Sequence, residues 1–377
     1  MVTIHIPEGI VMRGKRLVSP WIHALILTGT LFTSLHAQDL KPAGKESRLT
    51  IGGLVQAQGE FGDQGDSRFT KNDRFLLRRA RINVQGGFLE EFDFRVELDL
   101  GGTGSALRAQ MTDGYVQWNA SKTFAVRFGQ FKTPFGFEQL VSDPVLFTIE
   151  RALANDRLTI SRQLGLQLSA NTVDKRVTAT AGLFNGNGVN NGLNDNEDFV
   201  YVARLAAVPV QTKYAGQEVK WSAGFNAYAS QDTALALIDF GFDAAPGGAR
   251  DNLFTGKRSG LGLDSQVHLG PFDLWAEVLW ARFKPVNSLP ANPLTARGWY
   301  AQASCYFARN KAQAIVKYEI FDPNIHAAGN TTKTWVAGVN GYVKAHDIKL
   351  QLDVQHSDAP GLSSGENKAF VRMQVVF

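Results

Sequence analysis

Arg79, Arg81 and Asn83 stand at alternate positions in the chain, interleaved with the apolar Ala80, Ile82 and Val84. Successive side chains of an extended segment point to opposite faces, so the three polar residues share one face. Arg127 sits among Phe124, Val126 and Phe128 in a second such segment, and Lys132, Arg151, Arg157 and Arg162 follow within the next stretch. Fixed cations of this kind suit one task above others. An anion entering a narrow passage loses hydration, and rings of Arg or Lys offset the loss. The planar guanidinium meets oxyanions in two places and stays charged at any ordinary pH. Such binding must also be weak enough to let the ion leave. Arg79, Arg81, Arg127, Lys132, Arg151, Arg157 and Arg162 are therefore the candidate anion-binding residues.

Each of these could instead serve as half of a structural ion pair. Asp93, Glu97, Asp99 and Asp113 lie near in sequence, and Glu138, Glu150 and Asp156 fall among the later cations. Arg78 breaks the alternation; it lies either near a rim or in a bulge that turns it to the polar face. Arg204, Lys317, Lys349 and Arg372 add later positive charge, but Glu319 and Asp353 accompany them, so no continuous basic ladder is evident.

Other chemistry finds little support. One cysteine allows no intrachain disulfide and no cysteine-based cluster. Cys305 shares a face with Ala301, Ala303 and Phe307 and reads as a buried or lipid-facing thiol. The seven histidines are scattered, with no pair at metal-ligand spacing. Gly186-Asn187-Gly188 lacks the lysine and helix of a phosphate-binding loop. Asp195, Glu197 and Asp198 could hold a calcium ion, though a solvated loop explains them better. No catalytic group, metal or cofactor is expected.

The elements that must position the cations have a period of two. Phe92, Phe94, Val96, Leu98 and Leu100 alternate with Asp93, Arg95, Glu97 and Asp99; the final segment sets Val371, Met373, Val375 and Phe377 against Arg372 and Gln374. Long alternating segments with one apolar and one polar face describe a barrel with a polar lumen in a lipid surround. Sixteen candidate strands can be traced, starting near Arg48, Arg74, Glu91, Ala109, Thr123, Leu164, Arg176, Asp198, Val219, Lys257, Phe272, Arg297, Lys311, Lys333, Asp347 and Lys368. Long and short links alternate between them, as external loops and periplasmic turns do. The longest early link, 132–163, is the third on the external side and is rich in apolar residues, so it is expected to fold against the inner wall. The link at 209–217 reads as intermediate. Trp118, Trp221, Trp275, Trp280, Trp299, Tyr300 and Trp335 fall toward segment ends, where aromatic rings favour a membrane interface.

Arg13, Lys15 and Arg16 precede the mostly apolar Leu17–Leu35 run, and Ala37 offers a cleavage site before Gln38. Residues 1–37 are thus read as a secretory signal, with Met12 an alternative start. Its removal takes Lys+Arg from 39 to 36 and Asp+Glu from 35 to 34, leaving a net charge of +2. That balance gives no reason to expect nucleic acid as a partner.

Two passages carry a family resemblance. One is Arg74-Phe75-Leu76-Leu77-Arg78-Arg79-Ala80-Arg81-Ile82-Asn83-Val84. The other is Phe128-Gly129-Gln130-Phe131-Lys132-Thr133-Pro134-Phe135-Gly136-Phe137-Glu138, continuing through Ile149-Glu150-Arg151 to Ser161-Arg162-Gln163-Leu164-Gly165. Together they resemble the phosphate-selective porin O and P family, and terminal Phe377 matches the signal read by the barrel-assembly machinery in such proteins. The resemblance implies an all-β, 16-stranded transmembrane antiparallel barrel over residues 38–377. It further implies a homotrimer in the bacterial outer membrane, among its lipid and lipopolysaccharide, passing inorganic phosphate or other small anions through a basic constriction. A general porin, or a non-conducting barrel acting as a receptor or adhesin, is the rival reading.

Two outcomes follow for export. N-terminal sequencing of the outer-membrane protein should begin near Gln38. Deleting Phe377 should reduce its membrane level, and an unchanged level would remove the assembly role of that residue.

Overall fold

A computed structural model describes residues 39–40, 47–102, 109–237, 253–286, 292–361 and 365–377. The expected signal segment and its cleavage site lie outside these. Sixteen barrel strands follow one another: β1 (Arg48–Gly62), β2 (Arg74–Phe88), β3 (Phe92–Asp99), β4 (Gln110–Trp118), β5 (Phe124–Lys132), β6 (Arg162–Asn171), β7 (Val177–Phe184) and β8 (Val200–Tyr214). Then come β9 (Gln217–Ala236), β10 (Leu253–Leu269), β11 (Phe272–Pro285), β12 (Leu294–Phe307), β13 (Ala312–Asp322), β14 (Thr332–Lys344), β15 (Ile348–Asp358) and β16 (Glu366–Val376). A two-residue strand, Asp39–Leu40, pairs with the start of β1. Each barrel strand is antiparallel to the next, and β16 pairs with β1, closing the sheet. Closure is what allows strands to cross a membrane, since it leaves no unpaired edge in lipid.

The burial pattern is inverted relative to a soluble protein. Phe75 is 85% exposed, and Leu77, Ile82, Val96 and Leu98 are exposed with it, whereas Gln56, Gln374, Lys349 and Arg372 are buried. The apolar face of each strand points outward and the polar face lines the interior, as the period of two requires. Every strand begins within four residues of its sequence-derived start, the widest gap being Leu253 against Lys257.

Three local departures have physical reasons. The register between β1 and β2 skips one residue between Gln56/Arg79 and Ala57/Leu77. This bulge turns Arg78 inward to Glu150, settling the choice left open by alternation. The expected link at 209–217 is instead a two-residue turn. Pro209 remains within β8 at a register shift, where its missing N–H costs no ladder bond. Ala215 and Gly216 (φ 48° and 79°) close the hairpin in the left-handed conformation that such turns need. Finally, Trp275 and Tyr300 face inward rather than to the interface. Trp275 stacks on Phe147 at 4.1 Å, and Tyr300 is buried. Each sits one residue out of phase with the outward set, so nearness to a strand end could not place it.

The segment between β5 and β6 bonds to inward-facing side chains. It contains two helical turns, α1 (Phe137–Leu140) and α2 (Leu153–Leu158). The backbone N–H groups of Phe137 and Glu138 and the Asn155 amide all donate to Glu277 of β11, at 2.5, 3.1 and 2.9 Å. Lys317 of β13 meets Glu138 at 3.0 Å. Asp353 of β15 accepts the Ile149 N–H, and Arg372 of β16 donates to the Ile149 carbonyl. Lys349 of β15 donates to the carbonyls of Pro144 and Leu146.

Glu277 thus holds three donors of this segment. Glu277→Ala should cost on the order of 3 kcal/mol locally by leaving three buried donors without their acceptor. Segment 133–161 should become protease-sensitive and single-channel conductance should change, while the heat-dependent gel shift of the folded barrel persists. Unchanged proteolysis and conductance would show that Glu277 does not anchor the segment.

Candidate functional site

Anchoring on β9, β11 and β13–β16 leaves open space on the other side of segment 133–161. A cavity of about 550 Å³ lies there, walled by β2–β8 and by Lys132, Pro134, Leu140, Ser142, Asp143 and Pro144 of β5 and the segment. Its charged lining is Arg81, Arg95, Arg127, Lys132, Arg162 and Arg204 against Glu97, Asp113 and Asp143, six cations to three carboxylates. A second cavity, of about 520 Å³ toward the short-turn end, shares Arg95, Tyr115 and Arg127 with it and adds Arg48. Cations therefore run from the short-turn mouth to the segment along one wall. A third cavity, on the long-loop side, has a different balance, with Arg157 and Arg258 beside Asp156, Asp195 and Asp232.

Each carboxylate of the main cavity is shared among arginines. Asp143 takes Arg79 at 3.0 Å, Arg81 at 2.6 Å and Arg151 at 2.8 Å. Burial alone would raise the Asp143 carboxyl, but Arg79, Arg151 and Arg81 hold it well below the usual carboxylate range. Glu150 behaves alike, with Arg78 and Arg372 overruling the effect of burial. Asp113 accepts from Arg162 at 2.6 Å and lies 3.5 Å from Arg95. Glu97 pairs with Arg95 and lies 3.6 Å from Arg81 and 4.0 Å from Arg162. Counted once each, Arg79, Arg81, Arg95, Arg151 and Arg162 meet Glu97, Asp99, Asp113 and Asp143, so this linked set of five cations and four carboxylates keeps a net charge of +1.

Arg127 and Lys132 are held by neutral groups. The Arg127 guanidinium donates twice to Gln117 Oε1, at 2.9 and 2.6 Å, and lies over the rings of Tyr115 (4.3 Å) and Phe131 (5.3 Å). Lys132 Nζ donates to the carbonyls of Gln139 (2.6 Å) and Val141 (3.0 Å). Among the described residues neither forms an ion pair with a carboxylate. Both side chains are fixed in place by these neutral partners.

The seven sequence-derived candidates thus divide. Arg81, Arg127, Lys132 and Arg162 line the main cavity together. Arg79 and Arg151 clamp Asp143 from behind it and are buried. Arg157 lies in the long-loop cavity and donates to Ser67. Arg95 and Arg204 line the site but were not selected from sequence. Arg95 had a visible cue, since it shares its face with Glu97 and Asp99; Arg204 was legible only as a lumen position. Asp143 had none, being a loop residue before a proline.

The phosphate-selective porin O and P family model matches residues 51–377. Solved structures with the same fold include an anion-selective porin from Comamonas acidovorans, at 13% identity and TM-score 0.62, covering 88% of this chain and 100% of that one. The outer-membrane channel DcaP of Acinetobacter baumannii matches at 10% identity and TM-score 0.60, covering 90% and 100%. The trimer form of OmpT from Vibrio cholerae matches at 10% identity and TM-score 0.60, covering 88% and 100%. No curated protein sequence matches this chain. A closed antiparallel 16-stranded barrel with outward apolar faces, matched over nearly its whole length by one family model, leaves a plain conclusion: the chain belongs to the phosphate-selective porin O and P family of bacterial outer-membrane porins.

Proposed function

We propose that this porin passes small anions by passive diffusion, inorganic phosphate foremost, through a constriction lined by Arg81, Arg127, Lys132 and Arg162 with Arg95. The observation that carries the reading is that, among the cations lining the main cavity, Arg127 and Lys132 have no ion-pair partner among the described residues, whereas Arg81 and Arg204 pair with Asp99 and Asp264. A low-dielectric wall focuses that field and concentrates anions. Arg127 contributes most, because no carboxylate among the described residues pairs with it, and Lys132 stands beside it on neutral carbonyls. Their fixed orientation by Gln117, ring faces and carbonyls keeps them available to a passing ion without ordering cost. Arg79 and Arg151 act indirectly by locking Asp143, and with it the segment that narrows the lumen. The anion selectivity of the Comamonas porin and the trimeric form of OmpT support the same reading. We therefore propose a homotrimer, exported by residues 1–37 and assembled by the machinery that reads Phe377.

The arrangement makes two demands that can be measured. In planar bilayers at low salt, Arg127→Gln and Lys132→Gln should each shift the reversal potential toward cations. Each should also raise the phosphate concentration for half-block of chloride current about fivefold, the effect of losing about 1 kcal/mol per charge in water. High salt should shrink both effects, since screening shortens the reach of the charges. Lys71→Gln, in the first external loop, serves as a control. Unchanged selectivity and block at low salt would make the cluster structural and end the anion assignment. A shift in selectivity without any preference of phosphate over chloride would leave a general anion porin.

The second demand concerns pH. Asp143 and Glu150 are held below their unfolded values, so the stabilisation they give is complete above those values, about pH 4, and fades only as pH falls toward the depressed folded ones. Asp143 should therefore add no step to the conductance between about pH 6 and about pH 4.5, and Asp143→Asn should leave the shape of the pH profile in that window unchanged. A midpoint in that window that Asp143→Asn abolishes would contradict the clamp.

A further inference from the structure

The first external loop, residues 63–73 between β1 and β2, bonds to inward-facing side chains of the barrel. Asp66 and Phe69 are buried, and the Arg68 side chain is only 10% exposed. Strands β15 and β16 hold the loop down. Gln355 donates to Asp66 at 2.9 Å, Glu366 accepts the Gly65 N–H at 3.1 Å, and Lys368 donates to the carbonyls of Asp63 and Thr70 at 3.0 and 2.9 Å. Phe69 packs on Phe370 of β16, ring centroids 5.0 Å apart, in one buried cluster with Ile149 of segment 133–161.

Arg68 joins three elements. Its Nε and Nη2 grip Asp66 of its own loop at 3.0 and 2.8 Å. Nη1 donates to the Arg151 carbonyl at 2.6 Å and to Asp156 at 3.0 Å, both in the segment. Nη2 also reaches Glu319 of β13 at 3.4 Å. A guanidinium carries five N–H donors in one rigid plane, and here each has an acceptor. A lysine ammonium, with three, could not serve them all. From Arg151 the contacts run on to the passage. The Arg151 side chain pairs with Asp143 at 2.8 Å, and Asp143 takes Arg81, which lines the main cavity.

We propose that the first external loop is a strap that sets the position of the segment narrowing the lumen, with Arg68 as its positioning residue. Asp66, Asp156 and Glu319 converge on this one cation; without it they repel, and the elements that carry them part. Arg151 then loses its fixed backbone, Asp143 loses the end of its clamp, and the Arg81 that Asp143 holds is released toward the cavity. An event on the outer surface that lifts the loop is thereby felt at the passage. The proposal rests on the reading of the barrel as an open channel and not on its preference for anions.

The test uses the full-length barrel in detergent and in planar bilayers, with potassium chloride on both sides. In wild type the amides of Arg68 and Phe69, and those of Asn155 and Asp156, should show one common protection against hydrogen exchange, because the two stretches open together. Arg68→Gln should speed exchange at both by at least about tenfold and leave the Phe137 and Glu138 amides, held by Glu277, unchanged. It should also change single-channel current by at least about a third, with brief closures, as a released segment moves in the lumen. Arg68→Lys, which keeps the charge but not the fork, should change the current as well. Lys71→Gln, on the exposed part of the loop, should do neither. With Asp143→Asn already present, Arg68→Gln should add nothing to the current, since the path is cut. The heat-dependent gel shift reports that each variant is folded. Free exchange at Arg68 and Phe69 beside protected Asn155 and Asp156 in wild type would overturn the proposal even if no variant folded. So would wild-type current in Arg68→Gln, or additive effects of Arg68→Gln and Asp143→Asn. A wild type that passes no ions would end the channel reading and the strap together, whereas a channel without anion preference would leave the strap standing.

Discussion

The clamp on Asp143 is the interaction from which the interior follows. Three guanidinium groups, two from β2 and one from the segment between β5 and β6, converge on one buried carboxylate. Removing one partner of a buried pair typically costs about 3–5 kcal/mol, because the remaining charge is stranded. The segment is thus fixed at one end to β2, while Glu277, Lys317, Lys349 and Arg372 fix the rest to β11 and β13–β16. The passage must then run along the remaining wall. Which arginines face it is a consequence of which arginines the clamp consumes.

The same lumen therefore uses one residue type in two ways. Arg79 and Arg151 spend their donors on protein acceptors and are sealed from the cavity. Arg127 and Lys132 meet only amides, carbonyls and rings, which orient a cation without cancelling it. Arg81, Arg95 and Arg162 fall between, sharing Glu97, Asp99, Asp113 and Asp143. Paired charges give the wall rigidity, and the surplus gives it a sign. A ring of wholly unpaired arginines would repel itself and hold an anion too tightly to release it.

The outer surface obeys a separate constraint. Lipid demands apolar side chains across the hydrocarbon and permits charge only at its borders. Strands β10–β12, of 14 to 17 residues, meet that demand with alternation along each strand, and the exposed cations Lys257, Lys284 and Arg297 begin only near their external ends. The short strands β3–β7 carry Phe128, Val116 and Trp118 outward over a smaller height. The barrel thus presents two walls of different reach to its surroundings.

Much of this was legible in the residues. A period of two is a local property, so the number of strands, their order, the outward apolar face and the inward position of Arg79, Arg81 and Arg127 could be read directly. Turn chemistry was legible where glycine or long polar runs marked it, and misleading at Pro209, because a bulge can absorb a proline that a regular ladder cannot. Contacts between distant segments were not legible. Nothing about Asp143 in sequence says that it will meet Arg79, Arg81 and Arg151, or that Arg157 will lie on the far side of the segment from Arg127. Alternation determines which way a side chain points; only the closed barrel and the path of one loop across it determine what that side chain meets, because electrostatic neutralisation depends on distance in space and not on separation along the chain.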